Sequence, residues 1–282
     1  MKVYVMDAFS DRMFGGNQAG VALPEGELAD ETMRSIAGEL KHSETAFVWQ
    51  KPDGVKLRYF TPAGEVDLCG HATVASFALL RKLGKIKDGA HRAFTKSGEL
   101  TISVEGGTVW MDMAPPRALG PVPRAVWAEL YRAYGLTEAD KPTELDPEIV
   151  STGLADIMLP VRSRETLLRA VQDQQAVTEL SRRFQVTGVH MFCLGEGQVH
   201  CSNFAPLYDI PEECATGTSN GALTYYLYKR GLVTPDMENL FLQGEHMHRP
   251  SLIRSRLLLE NGGVRVRIGG QAVMSLAGKM DI

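Results

Sequence analysis

An α+β fold of two similar halves is what this sequence predicts, and three observations predict it. Short runs of alternating apolar and polar residues, bounded by Gly and Pro, recur through most of the chain and read as strands. Two stretches, Asp67-Leu68-Cys69-Gly70-His71-Ala72-Thr73 and Glu212-Glu213-Cys214-Ala215-Thr216-Gly217-Thr218-Ser219-Asn220-Gly221, each pass from a cysteine through small or hydroxylated residues into an apolar helical pattern. That pattern is Val74, Phe77, Ala78 and Leu80 after the first, and Leu223, Tyr226 and Leu227 after the second. Finally, landmarks repeat in order: Phe47, Phe60-Thr61-Pro62, Cys69, Gly84 and Gly106-Gly107 find counterparts in Phe192, Phe204-Ala205-Pro206, Cys214, Gly231 and Gly262-Gly263.

The elements follow in order. Residues 3–9 read as a strand. Phe14 to Gly20 reads as a Gly-rich loop holding Asn17, and Val21-Ala22-Leu23 resumes a strand before Pro24. Met33, Ile36, Ala37 and Leu40 share one helical face over 30–41, with Asp30 as N-cap. His42-Ser43-Glu44-Thr45 leads into strand 46–49, and Lys56 to Phe60 alternates as the next strand. The first cysteine stretch opens a helix to about Leu83 with Gly84 at its C-cap. Strands 101–104 and 108–113 join through Glu105-Gly106-Gly107, a hairpin signal. The proline-spaced run 114–123 marks a boundary between halves.

Beyond it, 124–134 reads as helix, 156–161 as strand, and 164–184 as one or two helices. Strands at 189–194 and 198–201 precede the second cysteine stretch, whose helix runs to about Arg230 with Gly231 as cap. Glu238 to Gly244 reads as native strand. Two strands close around Asn261-Gly262-Gly263, and a last one covers about Ala272–Ala277. The expected domains are 1–117 and 118–271, with residues from about 272 to 282 returning to the first, and an active site in the cleft between them.

Composition excludes several classes. The chain has 282 residues, 44% hydrophobic and 23% charged, with a net charge of −4, so no polybasic surface invites nucleic acid or anionic membrane. Apolar runs fall short of a spanning helix, and the first residues read as a strand instead of a signal peptide. Four cysteines without dense spacing fit a reducing, cytoplasmic setting. His246 and His248 lie two apart without a Cys/His cluster of ligand spacing, so no metal is expected. No dinucleotide fingerprint or P-loop is present, and no cofactor is expected.

At these residues the chain resembles the PhzF-like family of isomerases, relatives of diaminopimelate epimerase and proline racemase. The resemblance runs over nearly the whole chain, through Asp7-Ala8-Phe9, Gly16-Asn17, Ser43-Glu44-Thr45-Ala46-Phe47, Phe60-Thr61-Pro62 and Glu65 to Thr73. It continues at Ser151-Thr152-Gly153-Leu154, Phe204-Ala205-Pro206, Glu212-Glu213, Ala215 to Leu223, and Gln243-Gly244 with Arg249-Pro250-Ser251. It implies a diaminopimelate epimerase-like fold, each half a β-sheet curled around a central helix. It also implies cofactor-free chemistry and a homodimer. Members of the PhzF type use the glutamate matching Glu44 as a proton shuttle, with Gly70, His71, Glu213, Gly217 and Thr218 at matching positions around the substrate. The epimerase and racemase relatives use two cysteines instead, matching Cys69 and Cys214. Cys214 departs from the PhzF pattern, where a proline or small residue is more familiar, and so does Ser202, where many relatives carry arginine.

The residues themselves support chemistry of this kind. Small residues at a helix start leave backbone N–H groups for an anion, and the helix dipole favours a thiolate there. Gly70, Ala72, Thr73, Thr216, Gly217, Thr218 and Ser219 at these starts are therefore expected to bind substrate, with Asn17 from its Gly-rich loop and, as the resemblance implies, Glu213. Glu44, His71, Cys69 and Cys214 are the expected catalytic ones. Glu44 is the unduplicated acid: the matching place in the second half is near Val189. A carboxylate can both take and return a proton on one face of a carbon, whereas inversion by thiols needs one on each face. The expected function is a cofactor-independent isomerase acting next to a carboxylate or conjugated system on a small, amino-acid-like substrate. The alternatives are a two-cysteine racemase or epimerase using Cys69 and Cys214, and a non-catalytic binding protein for a small anion.

Overall fold

The computed structural model describes residues 1–260 and 262–282. The chain divides into two compact units, Met1–Asp112 with Gly269–Ile282, and Met113–Ile268. In chain order the first part holds β1 (Lys2–Ala8), β2 (Asn17–Leu23), α1 (Asp30–Leu40), β3 (Thr45–Lys51), β4 (Gly54–Phe60), β5 (Glu65–Val66), α2 (Gly70–Lys82), β6 (Gly89–Thr95), β7 (Gly98–Glu105) and β8 (Thr108–Asp112). The second part holds β9 (Arg117–Pro121), α3 (Trp127–Arg132), β10 (Glu148–Ser151), β11 (Ala155–Pro160), α4 (Arg164–Arg169), α5 (Gln174–Phe184), β12 (Gly188–Leu194), β13 (Val199–Ala205), β14 (Ile210–Glu213), α6 (Gly217–Tyr228), β15 (Glu238–Gln243), β16 (Ser251–Glu260) and β17 (Gly263–Gly270). The last strand, β18 (Ala272–Lys279), pairs antiparallel with β1.

Strand pairing shows the repeat directly. In the first unit β1 runs antiparallel to β2, β2 parallel to β3, β3 antiparallel to β4, β4 parallel to β6, and β6 antiparallel to β7. In the second unit the same alternation runs through β10, β11, β12, β13, β15 and β16. Each parallel step is bridged by helix: α1 between β2 and β3, α4 and α5 between β11 and β12, α2 between β4 and β6, and α6 between β13 and β15. A parallel pair needs such a crossover, because a two-residue turn cannot return the chain in the same direction.

The bridging helices α2 and α6 are central. Every residue from His71 to Leu80 is buried, against β1, β2, β3, β8 and β18. A helix buried all round must satisfy its own polar side chains. Ser76 Oγ donates to the Ala72 carbonyl at 2.7 Å, and Thr224 Oγ1 in α6 donates to the Asn220 carbonyl at 2.7 Å. By contrast α1 is amphipathic and buries Met33, Ile36 and Ala37 against Phe47, Trp49 and Phe60. Helices α3, α4 and α5 cover a separate core of Trp127, Tyr131, Tyr134, Leu159, Leu180 and Phe204.

Several expectations shift locally. Asp30 is the first residue of α1, Ala29 is the N-cap, and the Asp30 carboxylate instead takes a hydrogen bond from Arg58 at 2.8 Å. Asn17 is the first residue of β2, opposite Ala8, so the Gly-rich loop is shorter than expected. The proline-spaced run contains a strand, β9, paired with β10. Gly84 (φ 68°) and Gly231 (φ 69°) follow the ends of α2 and α6 in left-handed conformation, where glycine carries no Cβ penalty. Residues 164–184 form two helices, capped by the side chains of Ser163 and Asp173. The expected closing turn at Asn261 lies outside the described residues. Among the described residues, no helix is long and apolar enough to cross a membrane.

Candidate active site

In the first unit the structure brings Glu44, His71 and Cys69 together. Lys41 turns the chain out of α1 in left-handed conformation (φ 55°), and the Glu44 carbonyl accepts from Gly20 N–H at 3.1 Å. Glu44 thus stands one residue before β3, its side chain 22% exposed, with Oε2 3.3 Å from His71 Nε2. His71 is the second residue of α2 and 7% exposed, and its Nδ1 lies 3.4 Å from Cys69 Sγ. Cys69 is the N-cap, in extended conformation, and its Sγ makes no capping bond. Burial lowers the His71 pKa, and the Glu44 carboxylate and the Gln18 backbone only partly oppose it, so the ring is neutral at neutral pH.

The rest of the first motif is divided between structure and opening. Thr73 is fully buried; its hydroxyl donates to the Cys69 carbonyl at 2.7 Å and meets Tyr59 Oη at 2.6 Å. Its side chain therefore braces the helix start. Ala72 is buried as well, whereas Gly70 is half-buried, and a Cβ there would meet only Met111 Sδ at 3.8 Å. Asn17 is 8% exposed.

In the second unit the helix start differs. The N-cap of α6 is Thr216, so Cys214 lies two residues before the cap and not at it. The caps align the helices: Asn220 Nδ2 donates to the Thr216 carbonyl at 2.9 Å, as Thr73 Oγ1 does to the Cys69 carbonyl. The counterpart of Cys69 is thus Thr216. Cys214 is 6% exposed, and burial, reinforced by the Glu213 carboxylate, pushes its thiol up to about 11 against the pull of Arg249. The expected depressed thiol is not what this setting makes.

The remaining residues of the second motif form a network. Glu213 Oε2 accepts from Thr216 Oγ1 at 2.6 Å. Gln243 Nε2 donates to the Glu213 carbonyl at 2.6 Å, while its Oε1 accepts from Thr216 N–H at 3.2 Å and from Asn220 Nδ2 at 2.7 Å. Ser219 is 1% exposed; its hydroxyl donates to Asp156 Oδ2 at 2.6 Å and accepts from Asn203 Nδ2 at 3.0 Å, which also reaches His190 Nδ1 at 3.1 Å. Gly217 and Thr218 are half-buried, and the Thr218 carbonyl accepts from Thr152 Oγ1 at 2.7 Å. Asp156, Asn203 and His190 gave no signal in the sequence: each sits in an apolar strand pattern. Gln243 stood within a motif, but its partners lie 23, 27 and 30 residues away.

The model of the phenazine biosynthesis-like (PhzC-PhzF) family matches residues 6–278. The chain belongs to this family. A protein of Deinococcus radiodurans, called an uncharacterized isomerase, is 34% identical over 275 residues, which cover 93% of this chain and 89% of that protein. The crystal structure of the Bacillus anthracis phenazine biosynthesis protein of the PhzF family superposes with a TM-score of 0.91 at 26% identity, over 100% of this chain and 99% of that one. A probable proline racemase from Agrobacterium radiobacter shares the fold, with a TM-score of 0.61 at 12% identity, over 100% of this chain and 93% of that one. The expected α+β, epimerase-like fold class is therefore the observed one. The stretch matched by the family model contains both helix starts.

Proposed function

We propose that this member of the phenazine biosynthesis-like family is an isomerase that moves a proton on a carbon next to a carboxylate of a small, amino-acid-like substrate, with Glu44 as the shuttle. The observation that carries this reading is the Glu44 carboxylate held 3.3 Å from a buried, neutral His71. His71 Nε2 stands beside the carboxylate at the buried helix start and fixes where Glu44 points. Glu44 then takes the proton from carbon and returns it on the same face. The start of α2, with half-buried Gly70 leaving room, offers N–H groups and the positive helix end to the substrate carboxylate. The two-thiol reading is weaker, because the buried Cys214 holds its proton up to about 11.

The test is proton exchange in D2O, followed by NMR, over a panel of small linear and cyclic amino acids. Glu44→Gln should slow exchange by about 100- to 10,000-fold, the range for general acid–base catalysis. Cys214→Ser should change it far less. Near-normal turnover in Glu44→Gln on a substrate the wild type turns over would refute the glutamate shuttle. Absence of any exchange across the panel in a protein that binds its members would favour the passive anion-binding reading.

A further inference from the structure

Gln243 is the last residue of β15, and its backbone is held on both sides, in register with Cys201 of β13 and Ser251 of β16. It is 0% exposed, and its amide uses both donors and accepts twice. Nε2 donates to the Glu213 carbonyl at 2.6 Å and to Thr216 Oγ1 at 3.1 Å. Oε1 accepts from Thr216 N–H at 3.2 Å and from Asn220 Nδ2 at 2.7 Å. The two backbone groups decide which way the amide points, since a carbonyl only accepts and an N–H only donates. That direction carries one step further. Thr216 Oγ1 receives the Gln243 N–H, so its single proton goes to Glu213 Oε2, 2.6 Å away. One buried amide thus fixes the N-cap of α6, the side chain of the acid before it and, through Asn220, the first turn of the helix.

The first unit has no such amide at the matching place. Phe60 and Phe204 are matching landmarks, which aligns Lys56 with His200, and these two pair with Phe94 and Leu242. Gln243 therefore corresponds to Thr95, whose short side chain donates to the Gly98 carbonyl at 3.0 Å. An unduplicated, fully buried amide in a repeated scaffold meets a demand particular to α6.

We infer that Gln243 is a positioning residue for substrate: it holds the start of α6 so that Glu213 and the N–H groups of Gly217, Thr218 and Ser219 meet substrate in one fixed arrangement. The first N–H groups of a helix have no carbonyl of their own helix to bind. Their direction follows from the cap, and the cap follows from Gln243. Gln243 itself is buried and acts only through these groups. Its effect on turnover rests on the proposed isomerase function; its hold on α6 does not.

The experiment compares the full wild-type chain with Gln243→Met, which keeps the length of the side chain and removes its four hydrogen bonds. Both are run on the panel of small amino acids in D2O. On a substrate the wild type turns over, KM should rise about 10- to 100-fold with kcat within about threefold, the pattern of lost binding that ground and transition states share; misplacement by about 1 Å has costs of this size. A purely structural role would lower the urea midpoint and leave KM where it was, and that result would overturn the positioning role. Iodoacetamide labelling of Cys214 at pH 8 gives a second readout that needs no turnover. Gly244 follows Gln243, and a Cβ there would stand 2.9 Å from Cys214 Cβ. Loosening Gln243 should therefore relieve the burial of the thiol, raise its thiolate fraction and speed labelling about tenfold. Unchanged labelling in the folded variant would overturn the hold on α6. Should Gln243→Met fail to fold, Thr216→Val removes only the hydroxyl between Gln243 and Glu213 and should raise KM in the same way; an unchanged KM would be equally decisive. A wild type that exchanges no member of the panel would remove the isomerase reading, and faster labelling in Gln243→Met would still uphold the hold on α6.

Discussion

Asp156 carries a pH dependence that can be worked out and measured. It is the second residue of β11, 2% exposed, and its carboxylate accepts from the Ser219 hydroxyl at 2.6 Å and from the Gly188 backbone. Both hydrogen bonds favour the ionised form, yet burial outweighs them and raises the pKa from 3.8 to about 6. In the unfolded chain the group ionises near its ordinary value. As pH rises from about 4 to about 6, the unfolded state therefore releases its proton first and the folded state becomes relatively less stable. A difference of about two pKa units corresponds to about 3 kcal/mol at roughly 1.4 kcal/mol each. Asp156→Asn removes the titration while keeping size and an acceptor for Ser219. Whatever fixed cost it carries cancels when the variant is compared with wild type at two pH values. Urea unfolding of both proteins at pH 4 and pH 7 should show the variant gaining about 2.4 kcal/mol on the wild type as pH rises, since at pH 4 the unfolded group is already partly ionised. A flat difference would refute the reasoning, and a wild type that gains on the variant would mean that the ionised carboxylate is favoured inside.

Two further outcomes test particular contacts. Alkylation of Cys214 by iodoacetamide should be slow at pH 7 and rise about tenfold per pH unit toward its raised pKa of about 11, because the thiolate is the reactive form; rapid labelling at pH 7, mapped by peptide mass spectrometry, would revive the two-thiol mechanism. Gly270→Ala should destabilise the first unit by about 1–3 kcal/mol in urea unfolding, as overpacking does. Its Cβ would stand 2.3 Å from Phe9 Cδ1, and Phe9 is 1% exposed and pinned at φ 60°; a neutral result would show that the ring can retreat.

What the sequence revealed and what it concealed divide by the reach of the interactions. The strands and the ends of α2 and α6 were readable because alternation and a following glycine are local signals. Strand β9 was hidden because Pro115, Pro116 and Pro121 spell a linker, whereas proline at a strand's end withholds no hydrogen bond that the ladder requires. The Glu44, Cys69 and His71 set was readable as motifs, and two of its members are near neighbours in sequence. Cys214 was misread for a longer-range reason. Counting residues placed it beside Cys69, but Thr216 is fixed as the helix cap by Gln243, from 27 residues further on. Gly244, next to Gln243, passes so close that a Cβ there would stand 2.8 Å from the Cys214 carbonyl and 2.9 Å from its Cβ. The same packing that sets the cap therefore encloses the thiol and raises its proton affinity. Two stretches alike in composition become a partly open helix start with a carboxylate and imidazole in the first unit, and a helix start braced by side-chain amides in the second. That asymmetry, which arises from tertiary contacts onto a repeated scaffold, is the physical reason to look for the proton shuttle at Glu44.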